Sequence, residues 1–297
     1  MSREWINTSE RSSDFWMRLI RWIALHMGRP AARLLLWPIT LFYYVVSPQA
    51  VRDSRRYLGR VLQRKVGFVD VYRHLHSFAS TILDRVFLLS GREDLLDVRI
   101  HNADDLHARV DQGQGCILLG SHLGSFEVLR ALGVHQKRFP LRVLMYPDHN
   151  QTVTRLLNVL SPEVAETVIP LGRVDTLLKV KESLEQGELI GMLGDRVADS
   201  DKQLDCNFMG EMARFPAGPL LLAVTLKVPV ILFYGLYRGG NRYDIYFELL
   251  TEAPEVTRTE RQEVIEELTC RYATRLEYYA RQAPYNWFNF YDYWRKD

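Results

Sequence analysis

Short apolar runs alternate with longer amphipathic stretches through the middle of the chain. The runs at 116–120, 141–146, 166–170, 189–194 and 228–234 lack a polar face, as strands buried on both sides do. Helical periodicity between them predicts helices over 125–136, 151–160, 173–186 and 214–227. Another predicted helix covers 68–91, "FVDVYRHLHSFASTILDRVFLLSG", and stops at Gly91. Residues 242–250 predict a later strand, its sense open to the antiparallel choice, and 257–282 a long charged helix ahead of an aromatic tail, "YNWFNFYDYW". Strands alternating with helices of this length imply βαβ units and an α/β fold: a mixed, mostly parallel sheet flanked by helices.

The first third is patterned differently. Residues 15–27, "FWMRLIRWIALHM", place Arg18 and Arg21 on one side of an otherwise apolar and aromatic helix. Residues 34–46, "LLLWPITLFYYVV", are continuously apolar but shorter than the ~18–20 residues that cross a bilayer, and Pro38 would kink them. Acidic residues precede the apolar region and no small-residue cleavage site follows it, which argues against a cleaved signal peptide. The choice lies between a buried hairpin and an interfacial anchor with Trp16, Trp22, Trp37, Tyr43 and Tyr44 at headgroup depth. Arg18, Arg21, Arg29 and Arg33, awkward in a sealed core, favour the anchor, and a tilted single span stays open. The chain therefore divides into an N-terminal membrane-associated helical segment, 1–66, and an α/β domain, 67–297.

Composition narrows the functional classes. Forty-seven per cent hydrophobic and 25% charged residues mark an ordered globular chain, and a net charge of +2 argues against nucleic acid as a partner. Charge is uneven, however: Arg52, Arg55, Arg56, Arg60, Arg64 and Lys65 face only Asp53 across 52–65. That run is either a solvated helix face or a surface for an acidic partner or membrane. Cys116, Cys206 and Cys270 form no paired motif, so free thiols in a reducing compartment are expected. No histidine sits in ligand register with Cys or carboxylates, so no metal is expected.

Chemistry concentrates in 116–132, "CILLGSHLGSFEVLRAL". In open α/β sheets, ligands gather beyond the carboxyl ends of strands, and His122 falls at such an end between Gly120 and Gly124. If the next helix starts near Ser125, Glu127 in its first turn can point back at the imidazole. It would then fix one ring nitrogen so that the other takes a proton from an attacking hydroxyl. About one His with an acid at this spacing is expected by chance among 8 histidines and 36 acidic residues, so placement, not spacing, carries the reading. A G-x-S-x-G elbow is absent because Ser121 comes one position early, Cys116 lies inside an apolar run, and no nucleotide-binding glycine motif occurs.

"GSHLGSFE" after an apolar strand resembles the His-x4-Asp/Glu motif of the lysophospholipid acyltransferase superfamily, in the Glu form of its bacterial lipid A biosynthesis (late) acyltransferase branch. "LIGMLGDRV" (189–197), "NFMGEMARFPAGPLLLAVTLKVPVI" (207–231), the aromatic tail and the N-terminal apolar helix are similar to blocks of that branch in the same order. The resemblance implies transfer of a fatty acyl group from an acyl thioester, on acyl carrier protein or coenzyme A, to a hydroxyl or amine of a lipid, with no further cofactor. His122 would be the general base and Glu127 its orienting partner. Ser121, Gly124, Asn150, Asp195, Arg196, Phe208 and Gly210 would contact substrate. Backbone N–H groups near Gly124, or Arg196, would stabilise the oxyanion, although Asp195–Arg196 also reads as a structural ion pair. The resemblance also implies membrane lipids and acyl carrier protein as partners and the cytoplasmic face of a bacterial inner membrane as location. "FPAG" (215–218) lacks the Glu and Thr of the glycerophosphate enzymes, and "YPDHN" (146–150) lacks an Arg frequent in lipid A enzymes, so the acceptor class stays open. A thioester or lipid hydrolase and a non-catalytic lipid-binding protein are the alternatives.

Overall fold

A computed structural model describes residues 11–135, 140–146, 162–197 and 202–295, with the side chains of 11–27, 132, 134, 135 and 162 left aside. Three helices lead: α1 (Arg11–Val46), broken at Gly28, α2 (Pro48–Leu62) and α3 (Phe68–Leu89). The rest is β1 (Asp97–His101), α4 (Asp104–Asp111), β2 (Ile117–Gly120), α5 (Phe126–His135), β3 (Leu141–Met145), α6 (Pro162–Glu166), β4 (Val168–Pro170), α7 (Thr176–Glu185) and β5 (Leu189–Leu193). It closes with the hairpin β6 (Gln203–Phe208) and β7 (Glu211–Pro216), then α8 (Gly218–Leu226), β8 (Val230–Gly239), β9 (Arg242–Thr251) and α9 (Arg261–Gln282). The expected helix over 151–160 lies outside the described residues.

Seven strands form one sheet in the order β1-β9-β8-β2-β5-β3-β4. From β8 to β4 every pairing is parallel, and β9 turns back antiparallel against β8. Side chains leave the two faces alternately and build two cores. On β2, Ile117 and Leu119 join one core with α2, α8 and α9, whereas Leu118 joins the other with α4 and α5. On β8, Leu232, Tyr234 and Leu236 face the first, and Ile231, Phe233 and Tyr237 the second. Each such buried aliphatic contributes about 1.5–3 kcal/mol. Burial on both sides explains why these strands read as unbroken apolar runs.

The mostly parallel α/β sheet agrees with the sequence. The stop of α3 also agrees: Gly91 takes φ +68° and Arg92 N–H donates to Phe87 C=O at 3.0 Å. The predicted helix over 214–227 is corrected. Its first three residues belong to β7, because Ala213 and Phe215 alternate inward against β6 and a Met209–Gly210 turn joins the hairpin with φ of 56° and 87°. Free thiols are corrected as well, since Cys206 of β6 and Cys270 of α9 form a disulfide and Cys116 stays buried.

At the N-terminus, α1 runs along α3. Arg29 donates to both carboxylate oxygens of Asp84, at 2.8 and 3.0 Å, and Arg33 to Tyr237 Oη at 2.7 Å. Both arginines thus bond inward. Apolar side chains point outward instead: Leu34 (72% exposed), Trp37, Leu41, Phe42, Val45 and Val46, continued by Phe68 and Val69 of α3. Among the described residues no single helix is long and apolar enough to cross a membrane. Gly28–Val46 and Pro48–Leu62, bent by 98°, pass that test as a pair by length and composition.

Half of the basic run is used internally. Arg56 pairs with Asp292, Arg60 with Glu211 at 2.7 Å, and Arg64 with Asp70 at 2.6 Å. Arg52, Arg55 and Lys65 face solvent.

Alkylating unfolded, unreduced protein should therefore label one cysteine, Cys116, and reduction should release two more; an intact mass with three labels before reduction contradicts the bridge. Closing a 64-residue separation contributes about 4 kcal/mol in the loop-entropy account, so Cys206→Ser should unfold at clearly lower denaturant.

Candidate active site

The register of two parallel strands assembles the site. Gly120 of β2 lies opposite Leu193 of β5, so His122 and Asp195, each two residues beyond, meet past the carboxyl edge. His122 Nδ1 is 2.7 Å from Asp195 Oδ1, and the His122 backbone N–H lies 3.0 Å from both carboxylate oxygens. An ionised carboxylate only accepts, so the ring proton sits on Nδ1 and Nε2 carries the lone pair. His122 keeps 27% of its side chain exposed, while that of Asp195 is sealed.

Burial alone would raise the Asp195 pKa, but the His122 ring, the Arg196 charge and the His122 N–H bring it down to about 2. Trp287 Nε1–H at 2.9 Å and Asn289 Nδ2–H at 3.1 Å also donate to Oδ2. Burial and the charge of Arg196 lower the His122 pKa below 6.5, against the opposite pull of Asp195 and Glu127. The ring is therefore neutral, with an accepting nitrogen, at neutral pH.

The loop carrying His122 is stitched on both sides. Gly124, at φ +77°, donates to Asn286 C=O at 2.9 Å, and Ser125 N–H donates to Gly235 C=O at 2.8 Å. A Cβ on Gly124 would lie 1.9 Å from that same carbonyl oxygen, so only glycine fits this crossing. On the tail's side, beside the Gly124 bond, Phe288 N–H donates to His122 C=O at 2.8 Å, and these two bonds pair Leu123 with Trp287.

Several expectations change here. Glu127 does sit in the first turn of α5, yet its carboxylate pairs with Arg85 at 3.1 Å, and no hydrogen bond joins it to the ring. Asp195 holds the position expected of Glu127, because a strand neighbour reaches Nδ1 directly. The Gly124 N–H, expected to serve an oxyanion, is already bonded. Arg196 spends Nε on Asn289 Oδ1 (2.8 Å) and one Nη on Phe288 C=O (2.9 Å), so it anchors the tail. Ser121 is buried beside His122. Phe208 is fully buried among Phe215, Trp287, Tyr293 and Trp294, and Gly210 forms the hairpin turn. Asn150 lies outside the described residues. Sequence reading missed Trp287 and Asn289; two asparagines inside an aromatic tail were the available signal, since buried amides need partners.

A neutral histidine with a fixed tautomer, at the carboxyl edge of an open α/β sheet, has one ring nitrogen able to accept a proton, the property a general base requires. The sequence profile of the Bacterial lipid A biosynthesis acyltransferase family matches residues 73–296, and the chain belongs to that family. Membership supports an acyltransferase acting on lipid. No curated protein matches the chain.

A lowered His122 pKa has a definite sign: the base is lost only when the ring protonates. The rate, followed as kcat/KM, should stay level from neutral pH to below 6.5 and then fall. Asp195→Asn keeps the shape but frees the tautomer, and should cut kcat about 10³- to 10⁴-fold in a protein that still folds, at a lowered melting temperature because charge-assisted bonds are lost. A near-normal rate in that variant would remove Asp195 from the site.

Proposed function

We propose a membrane-associated acyltransferase that moves a fatty acyl group from an acyl thioester, on acyl carrier protein or coenzyme A, to a hydroxyl or amine of a lipid or glycolipid. The observation that carries this reading is the His122–Asp195 pair in a chain of this family. His122 Nε2 takes the acceptor's proton as its oxygen or nitrogen attacks the thioester carbonyl. The new bond to carbon forms, the tetrahedral intermediate collapses, the C–S bond breaks, and the departing thiolate takes the proton from Nε2. Asp195 stays ionised and holds the cationic ring between the two transfers. Glu127, paired with Arg85, adds negative potential that favours the imidazolium as it forms.

The outward apolar stripe of α1 and α3 supports seating on a bilayer, with Arg52, Arg55 and Lys65 close in sequence for anionic headgroups or the acidic carrier protein. The proposed location is the cytoplasmic face of a bacterial inner membrane. The Cys206–Cys270 bridge bears against this location, since a reducing cytoplasm holds such a pair as thiols; a thiol trap on intact cells that finds the pair open supports the cytoplasmic face, and one that finds it closed overturns it.

Lipids from cells with and without the protein, compared by mass spectrometry, should differ by one acyl group on one lipid class. Purified protein given thioester and that lipid should make acyl-lipid, and His122→Ala should make none while keeping its fold. Stoichiometric free fatty acid without any lipid would instead show a hydrolase. For the bilayer contact, Leu34→Asp with Val45→Asp should lower partitioning onto anionic vesicles at least ~10-fold, since each buried side chain carries roughly 1.5–3 kcal/mol. Unchanged partitioning would move the contact elsewhere.

A further inference from the structure

The base is held by a segment more than 160 residues downstream of it. Residues 286–289, Asn-Trp-Phe-Asn, run past the His122 loop and bond to it at two points. Asn286 C=O accepts from Gly124 and Phe288 N–H donates to His122 C=O, which pairs Leu123 with Trp287 as a one-residue antiparallel bridge. From the same segment, Trp287 Nε1–H and Asn289 Nδ2–H converge on one oxygen of Asp195, at 2.9 and 3.1 Å. The other oxygen faces His122 Nδ1 at 2.7 Å.

The segment is itself anchored. His74 of α3, fully buried, has Nε2 2.9 Å from the Trp287 carbonyl, and its Nδ1 is 2.8 Å from Ser54 Oγ of α2. A carbonyl only accepts, so Nε2 carries the proton and the serine hydroxyl donates to Nδ1. Tyr57 packs edge-on to the indole at 5.0 Å. Arg196 bonds Asn289 Oδ1, which leaves that amide's NH₂ aimed at Asp195. Both donors are thus fixed in direction before any substrate arrives.

We propose that Trp287 and Asn289 are positioning residues of the acyl transfer: they saturate the outer oxygen of Asp195, hold its inner oxygen on Nδ1, and so leave Nε2 as the accepting nitrogen. The proposal rests on His122 being the base. Without the two donors the carboxylate can rotate to satisfy its outer oxygen, and the ring is free to place its proton on Nε2, where it cannot accept one. The carboxylate's charge is also less shared, so it stabilises the imidazolium more and the ring is easier to protonate.

The test is Trp287→Phe, which keeps a ring in the aromatic cluster and deletes the donor. With one donor gone the carboxylate is freer to turn and part of the ring population holds its proton on Nε2, so kcat should fall about 10- to 100-fold. KM for thioester and lipid should stay within about twofold, because uniform binding is untouched. The acid limb of the pH–rate profile should move to higher pH. Nitrogen-15 shifts of the His122 ring, assigned by their loss in His122→Ala, should show the Nδ1–H form in the native protein and a mixture in the variant.

An unchanged kcat and pH profile in folded Trp287→Phe would overturn the proposal. So would a native His122 ring protonated on Nε2, whichever variants fold. Should Trp287→Phe not fold, Asn289→Leu removes the other donor and is read in the same way. Activity retained in His122→Ala sinks the base itself, whereas a dead His122→Ala beside a normal Trp287→Phe sinks only the positioning role.

Discussion

A carboxylate shut away from water must draw its hydrogen bonds from the chain, and the shape of this site follows from how Asp195 does so. Its donors are the backbone and ring of His122, the indole of Trp287 and the amide of Asn289. They come from the loop after β2 and from the C-terminal tail, while the carboxylate itself sits on the loop after the adjacent strand β5. An unpaired buried charge would cost several kcal/mol, so these segments are obliged to meet. The same convergence leaves the ring with one free nitrogen and one exposed edge. The bonds that satisfy the carboxylate thus also leave Nε2 free to accept a proton.

That requirement spreads outward through the helices. Trp287 can serve Asp195 only while the tail is pressed onto the sheet, and α2 and α3 supply the pressure through Tyr57 and the Ser54–His74 pair. Burial drives the His74 pKa down to about 4, against the raising effect of the Trp287 carbonyl, so it works as a neutral connector. α1 lies against α3 and reaches the carboxyl edge, where Arg29 donates to Gly240 C=O in the turn after β8. The exposed apolar stripe is therefore built on helices that pack directly onto the scaffold of the site. This arrangement suits a substrate that arrives from a lipid phase.

Local rules worked where the cause was local. Two-sided burial made β2, β5 and β8 visible as apolar runs, and the positive φ demanded at Gly91 ended α3 where expected. Local rules failed where a distant partner decided. β7 was read as the start of a helix because its pairing with β6 is a tertiary fact. Cys206 and Cys270 seemed unrelated at a separation of 64 residues until α9 crossed the hairpin. Arg56, Arg60 and Arg64 looked like free charge, although each has an acid waiting on another element or loop.

His122 shows both sides of this division. Sequence alone was enough to put an imidazole at the mouth of a strand, between glycines, in a chain whose alternation implies an α/β sheet. It could not say which carboxylate the ring would meet, and nearness along the chain pointed to Glu127. Strand order chose otherwise: β5 lies beside β2, Gly120 is level with Leu193, and Asp195 arrives at Nδ1 while Glu127 turns to Arg85. Periodicity describes the few residues around a position, whereas a hydrogen bond is short and directional and forms only between atoms that the completed fold brings within about 3 Å.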